Sequence, residues 1–226
     1  SRSVYRVPSL PFAVGPLIEK KTRIKRQNCT YVLDPESNLP GTQKTMKPIF
    51  ESFSKKFKWN VNGVVGAIPE PRFFEEALKK EGGVLFYCGH GGAENCFPRV
   101  KIENLLLDEG KRNCNAMVVL MGCSSGRLSS GGGASRGVGR KFKSMNYEPE
   151  GTVNSYLCAG APCVVGNLWD VTDKDIDKFF IHMLNEFVNN DSCGDIASCV
   201  SKSRSVCKME RIVGYAPVCY GIPMTW

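Results

Sequence analysis

The chain has 226 residues, 42% of them hydrophobic, which is enough for a globular core, and no run approaches the ~18 apolar residues of a membrane-spanning helix. Its net charge of +8 is concentrated in Lys20-Lys-Thr-Arg-Ile-Lys-Arg and in Arg136 to Lys143, basic loops that suit an acidic partner, weak contact with nucleic acid included. Eleven cysteines without a Cys-x-x-Cys pair, and only two histidines, argue against a zinc site and for free thiols in a reducing intracellular compartment; no metal or organic cofactor is implied.

The opening Ser1-Arg-Ser lacks a methionine, which predicts a piece of a longer protein joined to an upstream part. Pro8, Pro11 and Pro16 argue against a helix in residues 1–22 and for an extended segment. After the basic cluster, read as a surface loop, Thr30-Tyr-Val-Leu is a strand ended by the turn Asp34-Pro35. Thr42 is placed to cap a helix whose Phe50, Phe53 and Phe57 share one face, an aromatic stripe that belongs in the core. A strand at Val61 to Val65 and a helix from Pro71 to Lys80 follow, the helix turning Phe73, Phe74, Ala77 and Leu78 inward.

The apolar runs Val84-Leu-Phe-Tyr-Cys and Val118-Val-Leu-Met read as buried strands with a short element near Ile102 to Leu107 between them. Residues 127–148 break the pattern. Their Gly-rich stretch has no Gly-Lys-Ser or Gly-Lys-Thr, so it is read as a flexible basic insertion and not as a phosphate loop. Expected beyond it are a helix from Glu150 to Ala159, a buried strand from Cys163 to Asn167 and a helix capped by Thr172 that runs through Phe179, Met183 and Phe187. A helix around Ile196 to Cys207 and a strand near Tyr220 to Met224 complete the chain. Strands alternating with helices predict one α/β domain over residues 1–226, a mostly parallel sheet flanked by helices on both faces.

The two central apolar runs end alike, at Gly89-His-Gly-Gly and at Gly122-Cys-Ser-Ser-Gly. In an open parallel sheet chemistry collects outside the carboxyl ends of the strands, so His90 and Cys123 would project from one edge. A cysteine is nucleophilic as thiolate, and a paired imidazole can deprotonate it and later protonate a leaving amine. The N–H groups of Gly91 and Cys123 are placed to hold a developing oxyanion. A lone strand-end cysteine is more often a small core residue, but a histidine in Gly-His-Gly-Gly is poorly placed for packing, and the two motifs together favour catalysis.

Tyr87-Cys-Gly-His-Gly, Met121-Gly-Cys-Ser-Ser-Gly, Ala159-Gly-Ala-Pro and above all Gly166-Asn-Leu-Trp-Asp-Val-Thr-Asp-Lys-Asp-Ile-Asp resemble the carboxyl-terminal protease domain of separase, from Arg6-Val-Pro-Ser to Ala216-Pro-Val-Cys-Tyr-Gly-Ile-Pro. The Gln-Ala-Cys of true caspases is absent. The resemblance implies a caspase-like fold and a cysteine endopeptidase that cleaves the kleisin subunit of cohesin after arginine at anaphase, with an upstream glutamate preferred. It further implies an inhibitory chaperone, securin, lying along the substrate groove as a pseudosubstrate. An upstream helical part of the same protein is implied too, with residence in cytoplasm and nucleus and on chromosomes, spindle and centrosome during division. Residues 127–148 are longer than separases usually show, so nothing carries over to them.

Asp170, Asp173, Asp175 and Asp177 stand at a strand-to-helix junction. Acids in a helix's first turn are favoured by its dipole, and Thr172 with Asp175 fits a capping box. Asp173 and Asp177, four apart, share a face that would look toward the catalytic edge. Since a buried carboxylate selects a guanidinium, Asp177 is expected as the partner of the substrate arginine, with Asp173 and Asp170 beside it, Trp169 as pocket wall and Lys174 as a partner for the upstream acid. Another Arg-directed caspase-like peptidase and a non-catalytic caspase-like binding module remain as alternative readings.

Overall fold

The computed structural model describes residues 4–19, 21–57, 59–107, 113–130, 149–189 and 194–225. In order the elements are α1 (Leu10–Ile18), β1 (Cys29–Leu33), α2 (Pro40–Phe57), β2 (Val61–Val65), α3 (Pro71–Lys79), β3 (Val84–Cys88), α4 (Arg99–Leu107) and β4 (Met117–Leu120). There follow β5 (Ser129–Ser130), β6 (Pro149–Glu150), α5 (Thr152–Ala159), β7 (Cys163–Asn167), α6 (Asp173–Asn189), α7 (Ile196–Lys202) and β8 (Pro217–Gly221). A 3₁₀ turn at Ser203–Val206 and a π-helical turn at Glu210–Gly214 lie between the last two.

Six strands form one sheet in the order β2-β1-β3-β4-β7-β8, parallel except for β8, which runs antiparallel to β7. Strict alternation splits each central strand between two cores. Val84, Phe86, Cys88, Met117 and Val119 pack with α2, α6 and α7, whereas Leu85, Tyr87, Val118 and Leu120 pack with α3, α4 and α5. Helices therefore cover both faces, as continuous apolar runs in a parallel sheet require. Phe50 stacks on Tyr31 with centroids 4.1 Å apart and Phe53 is buried beside Trp59, so these two residues of the aromatic stripe of α2 are core, the Phe57 side chain lying outside what is described. The chain leaves β1 for β2 on one side and β3 on the other, so the order reverses between β1 and β3. The carboxyl ends there open the crevice in which open α/β sheets hold their chemistry.

Several expectations need correction. The opening segment is extended only at its start, where Arg6 N donates to Cys219 O and Gly221 N donates to Arg6 O, each at 2.8 Å, adding to the free edge of β8. Leu10–Ile18 is a helix despite its prolines: Pro11 lies in the first turn, where its missing N–H has no partner to lose, and Pro16, farther in, forgoes one ladder bond and is the buried residue of the helix. Thr42 is not a cap, because α2 begins at Pro40 and places Thr42 within its first turn. The helix expected from Ile196 stops at Lys202, and the last strand starts at Pro217, earlier than Tyr220. Of the insertion, residues 127–130 and 149–150 are described, the latter pairing β6 antiparallel to β5; residues 131–148, and with them the second basic cluster, lie outside the described residues.

Candidate active site

β3 delivers its chain end into a tight turn. Gly91 has φ +58°, a left-handed conformation that glycine adopts without strain, and the turn leaves His90 exposed. Tyr87 donates its hydroxyl to His90 O at 2.9 Å, and Gly92 N donates to Glu94 Oε2 at 2.7 Å, while Thr152 Oγ1 donates to the other oxygen of Glu94. His90 Nε2 lies 2.9 Å from Asn38 Oδ1, on the loop after β1. An amide oxygen accepts, so this contact assigns the proton to Nε2 and leaves Nδ1 as the basic nitrogen.

β4 ends on the loop that carries Cys123. Its hydrogen bonds are directed inward: Ser125 Oγ donates to Leu120 O at 2.9 Å and accepts from Asn167 N at 3.0 Å, Gly126 N donates to Asn167 O at 2.8 Å, and Tyr220 donates its hydroxyl to Gly126 O at 2.7 Å. Gly122 packs so closely on the His90 turn that an added Cβ would lie 2.1 Å from Gly91 O and 2.6 Å from Gly91 N. The two turns are thereby pressed together. Ser124, the residue after the cysteine, is left-handed at φ +53°, a sharp turn held by its hydroxyl on Asp170 Oδ1 at 2.7 Å and its N–H on Trp169 O at 3.1 Å.

Cys123 is half-buried, and its Sγ donates to Val171 O at 3.3 Å and accepts from Val171 N at 3.4 Å. Burial pushes the Cys114 thiol up to about 12 and raises Cys29 and Cys88 as well, so these sit in the core as neutral thiols. Cys163 is equally buried, whereas Cys158 is exposed on α5. His182, the other histidine, bonds Ser203 Oγ at 3.0 Å through Nδ1, away from this edge.

One cavity joins the pieces. Gly89, His90, Gly122 and Cys123 line it together with Val171, just before α6, with Asp173, Ile176 and Asp177 of the first turns of α6, and with Leu39 and Thr42. Among the described residues no hydrogen bond joins His90 to Cys123; they share the cavity instead. Asp177 accepts from Thr42 Oγ1 at 3.0 Å. Its carboxyl is raised to about 6, chiefly by burial and also by the neighbouring Asp173 carboxylate, against the opposing pull of the Thr42 hydroxyl.

The remaining acids and Trp169 fall elsewhere. Trp169 does not line the cavity: it is 39% exposed and its indole Nε1 donates to Ile212 O at 2.5 Å, tying its loop to the π-helical turn. Asp170 is bound to Ser124, and Lys174 is exposed outside the cavity. Asp175 does not close a capping box with Thr172. Its buried carboxylate accepts from Met209 N at 2.9 Å, and that bond, with help from Lys208 N and Lys178, holds it below the usual carboxylate range.

Residues 1–176 match the model of the separin protease domain. The chain belongs to the separin protease-domain family. Separin from Schizosaccharomyces pombe is 35% identical over 237 aligned positions, 98% of this chain and 11% of that protein. Mouse separin is 30% identical over 100% of this chain and 10% of that protein, so the chain spans about a tenth of the length of the curated relatives it matches. The solved Saccharomyces cerevisiae separase–securin complex contains a chain that superposes with a TM-score of 0.81 at 30% identity, over 99% of this chain and 14% of that one. The Arg-specific cysteine proteinase gingipain R superposes with a TM-score of 0.57 at 10% identity, over 93% of this chain and 51% of its own, a likeness of fold alone. This is a protease domain of the separin family on the caspase-like fold expected from its sequence.

Three polar residues of this separase-type site escaped the sequence reading. Asn38 reads as one more turn residue after Asp34-Pro35, Thr42 reads as a cap, and Asn167 reads as the end of an apolar strand. Each meets its partner across a long stretch of sequence, His90 52 residues away, Asp177 135 away and Gly122 45 away. An asparagine closing a buried apolar strand was the one signal available, since a buried amide demands a partner.

Proposed function

We propose that this domain cleaves polypeptide chains after arginine, by a mechanism in which Cys123 is the nucleophile and His90 the general base and then acid. The Cys123 proton passes to His90 Nδ1 while Asn38 holds the Nε2–H, and the sulfur adds to the scissile carbonyl. The carbonyl electron pair moves onto oxygen, where the N–H groups of Gly91 and Cys123 receive it. Collapse breaks the C–N bond as His90 protonates the leaving amine; water, deprotonated by His90, then hydrolyses the thioester. The contacts of Sγ with Val171 give way when the substrate carbonyl enters. Asp177, supported by Asp173 and held by Thr42, pairs with the guanidinium of the substrate arginine.

The observation that carries this reading is the single cavity that unites the Cys123 thiol, the His90 imidazole and the Asp173 and Asp177 carboxylates. Family membership directs the substrate proposal to the kleisin subunit of cohesin, cut at anaphase on chromosomes, and the complex in which the yeast relative was solved directs the partner proposal to a securin-type inhibitor occupying the same cleft. Exposed Lys174, no longer beside the arginine pocket, remains available to an acid upstream of the cut. Cleavage-site mapping on a kleisin chain tests the reading. Cuts after arginine that vanish when the arginine becomes leucine and weaken when the upstream glutamate becomes glutamine support it. Equal cleavage after leucine would refute arginine selection, and indifference to the upstream acid would favour a general Arg-directed peptidase.

A further inference from the structure

The oxyanion site assigned above needs two N–H groups aimed at the cleft, and one of them has an identifiable aiming device. A trans peptide is planar, and its C=O and N–H point in opposite directions. The peptide between Gly122 and Cys123 is held by its carbonyl: Gly122 O accepts from the side-chain Nδ2 of Asn167 at 3.0 Å, and, at the longer distance of 3.4 Å, from Ser125 N in its own turn. Asn167 is fully buried at the end of β7, beneath the loop. With the carbonyl drawn inward to that amide, the Cys123 N–H of the same plane faces the opposite way, toward the cavity that Gly122 and Cys123 line. Among the described residues neither the Cys123 N–H nor the Gly91 N–H is given to a protein acceptor.

Two further features fit this role. A carbonyl can be met only by a donor, so the NH₂ end of the amide must face Gly122 O. The other end, Oδ1, is buried without a hydrogen-bond partner among the described residues, so this amide is not placed to satisfy both its own halves. Asn167 also binds Ser125 Oγ through its N–H and Gly126 N through its carbonyl, contacts that any residue's backbone would make. The side chain is what is particular to asparagine.

We infer that Asn167 is a positioning residue that sets the oxyanion hole by anchoring the Gly122–Cys123 peptide. The inference rests on Cys123 being the nucleophile, and its test separates the two. Alkylation of a thiolate by iodoacetamide displaces iodide and develops no oxyanion, whereas peptide hydrolysis and addition to a peptide aldehyde both do. In the full-length protein, Asn167→Leu, of similar size but without a donor, and Asn167→Ala are compared with the unaltered chain.

Loss of the aim of this one oxyanion donor lowers kcat on an arginyl peptide amide by about 10²–10³-fold and weakens an arginyl peptide aldehyde by a similar factor. KM, and the iodoacetamide rate at Cys123 read from the mass of its peptide, stay within about threefold, and a cooperative melt persists. Parallel loss of alkylation and kcat, kcat within about tenfold of the unaltered chain, or loss of the cooperative melt in both variants would overturn the inference, the last by making Asn167 a structural residue. Cys123→Ala is run beside them: retained peptide cleavage in that variant overturns the assignment of Cys123 as the nucleophile, on which the inference rests.

Discussion

The loops that end β3 and β4 carry the two reacting groups but are built on different principles. The Cys123 loop is fastened from below, by Ser125, Asn167 and Tyr220, all buried, with both the backbone N–H and the backbone C=O of Asn167 engaged. The His90 turn is fastened from the side, by Asn38 and Glu94 at the solvent margin and by the Tyr87 hydroxyl. A nucleophile must hold one position against a carbonyl, and the core supplies that rigidity. A base must turn between thiol and leaving amine, and surface side chains orient it without locking it. The difference predicts that changes beneath Cys123 cost stability as well as rate, whereas a change at the exposed Asn38 beside His90 costs rate alone.

The largest effect expected is that of Cys123→Ser, which lowers cleavage of an arginyl peptide by at least about 10³-fold, because a serine hydroxyl is a far weaker acid than the thiol. Its melting temperature stays within a few degrees, since among the described residues the Sγ hydrogen-bonds the Val171 backbone alone and a hydroxyl is of similar size. Full activity in that variant would end the mechanism. Next, Asn38→Ala frees the imidazole tautomer and lowers kcat by about 10²-fold while leaving thermal stability within about 2 °C. A melting loss in step with the rate loss would erase the distinction between the two loops.

Tyr220→Phe probes the other side of the comparison. It leaves the buried Gly126 carbonyl unpaired, at a cost of about 1–3 kcal/mol, seen as a melting point lower by several degrees. An unchanged melting curve would mean that the Cys123 loop is not held from below. The smallest effect is one of pH. Asp177 is raised to about 6 when folded against an ordinary 3.8, so the folded state holds the proton that the unfolded state has lost. Stability from this group therefore falls as pH rises from about 4 through about 6, and affinity for a guanidinium ligand such as argininamide falls as pH drops below about 6. Asp177→Asn should flatten both curves; a ligand curve flat in the unaltered chain would place the guanidinium elsewhere.

The architecture was legible because its signals are local. Apolar runs of four or five residues ending at glycine marked β3 and β4, and the four-residue spacing of Asp173 and Asp177 put both on the face that lines the cavity. What could not be read is tertiary or permissive. Proline in a first turn gives no sign of whether a helix follows, which hid α1. Thr172 and Asp175 match a capping box, yet Asp175 found stronger donors 34 residues downstream at Met209. Trp169, placed by sequence beside the acids, is turned outward by its bond to Ile212. Asn38, Thr42 and Asn167 matter through partners that only the folded sheet brings near.

The central claim, that one cavity makes Cys123 an arginine-directed nucleophile, is tested most directly by counting adducts of an arginyl peptide acyloxymethyl ketone on the full-length protein by mass spectrometry. The account predicts one adduct, on Cys123 and on none of the ten other cysteines. Adduct formation is lost in His90→Ala, and in Asp177→Asn it is slowed for the arginyl reagent but not for its leucyl counterpart. Labelling of any other cysteine at a comparable rate, or arginyl and leucyl reagents reacting equally with the unaltered chain, would contradict it.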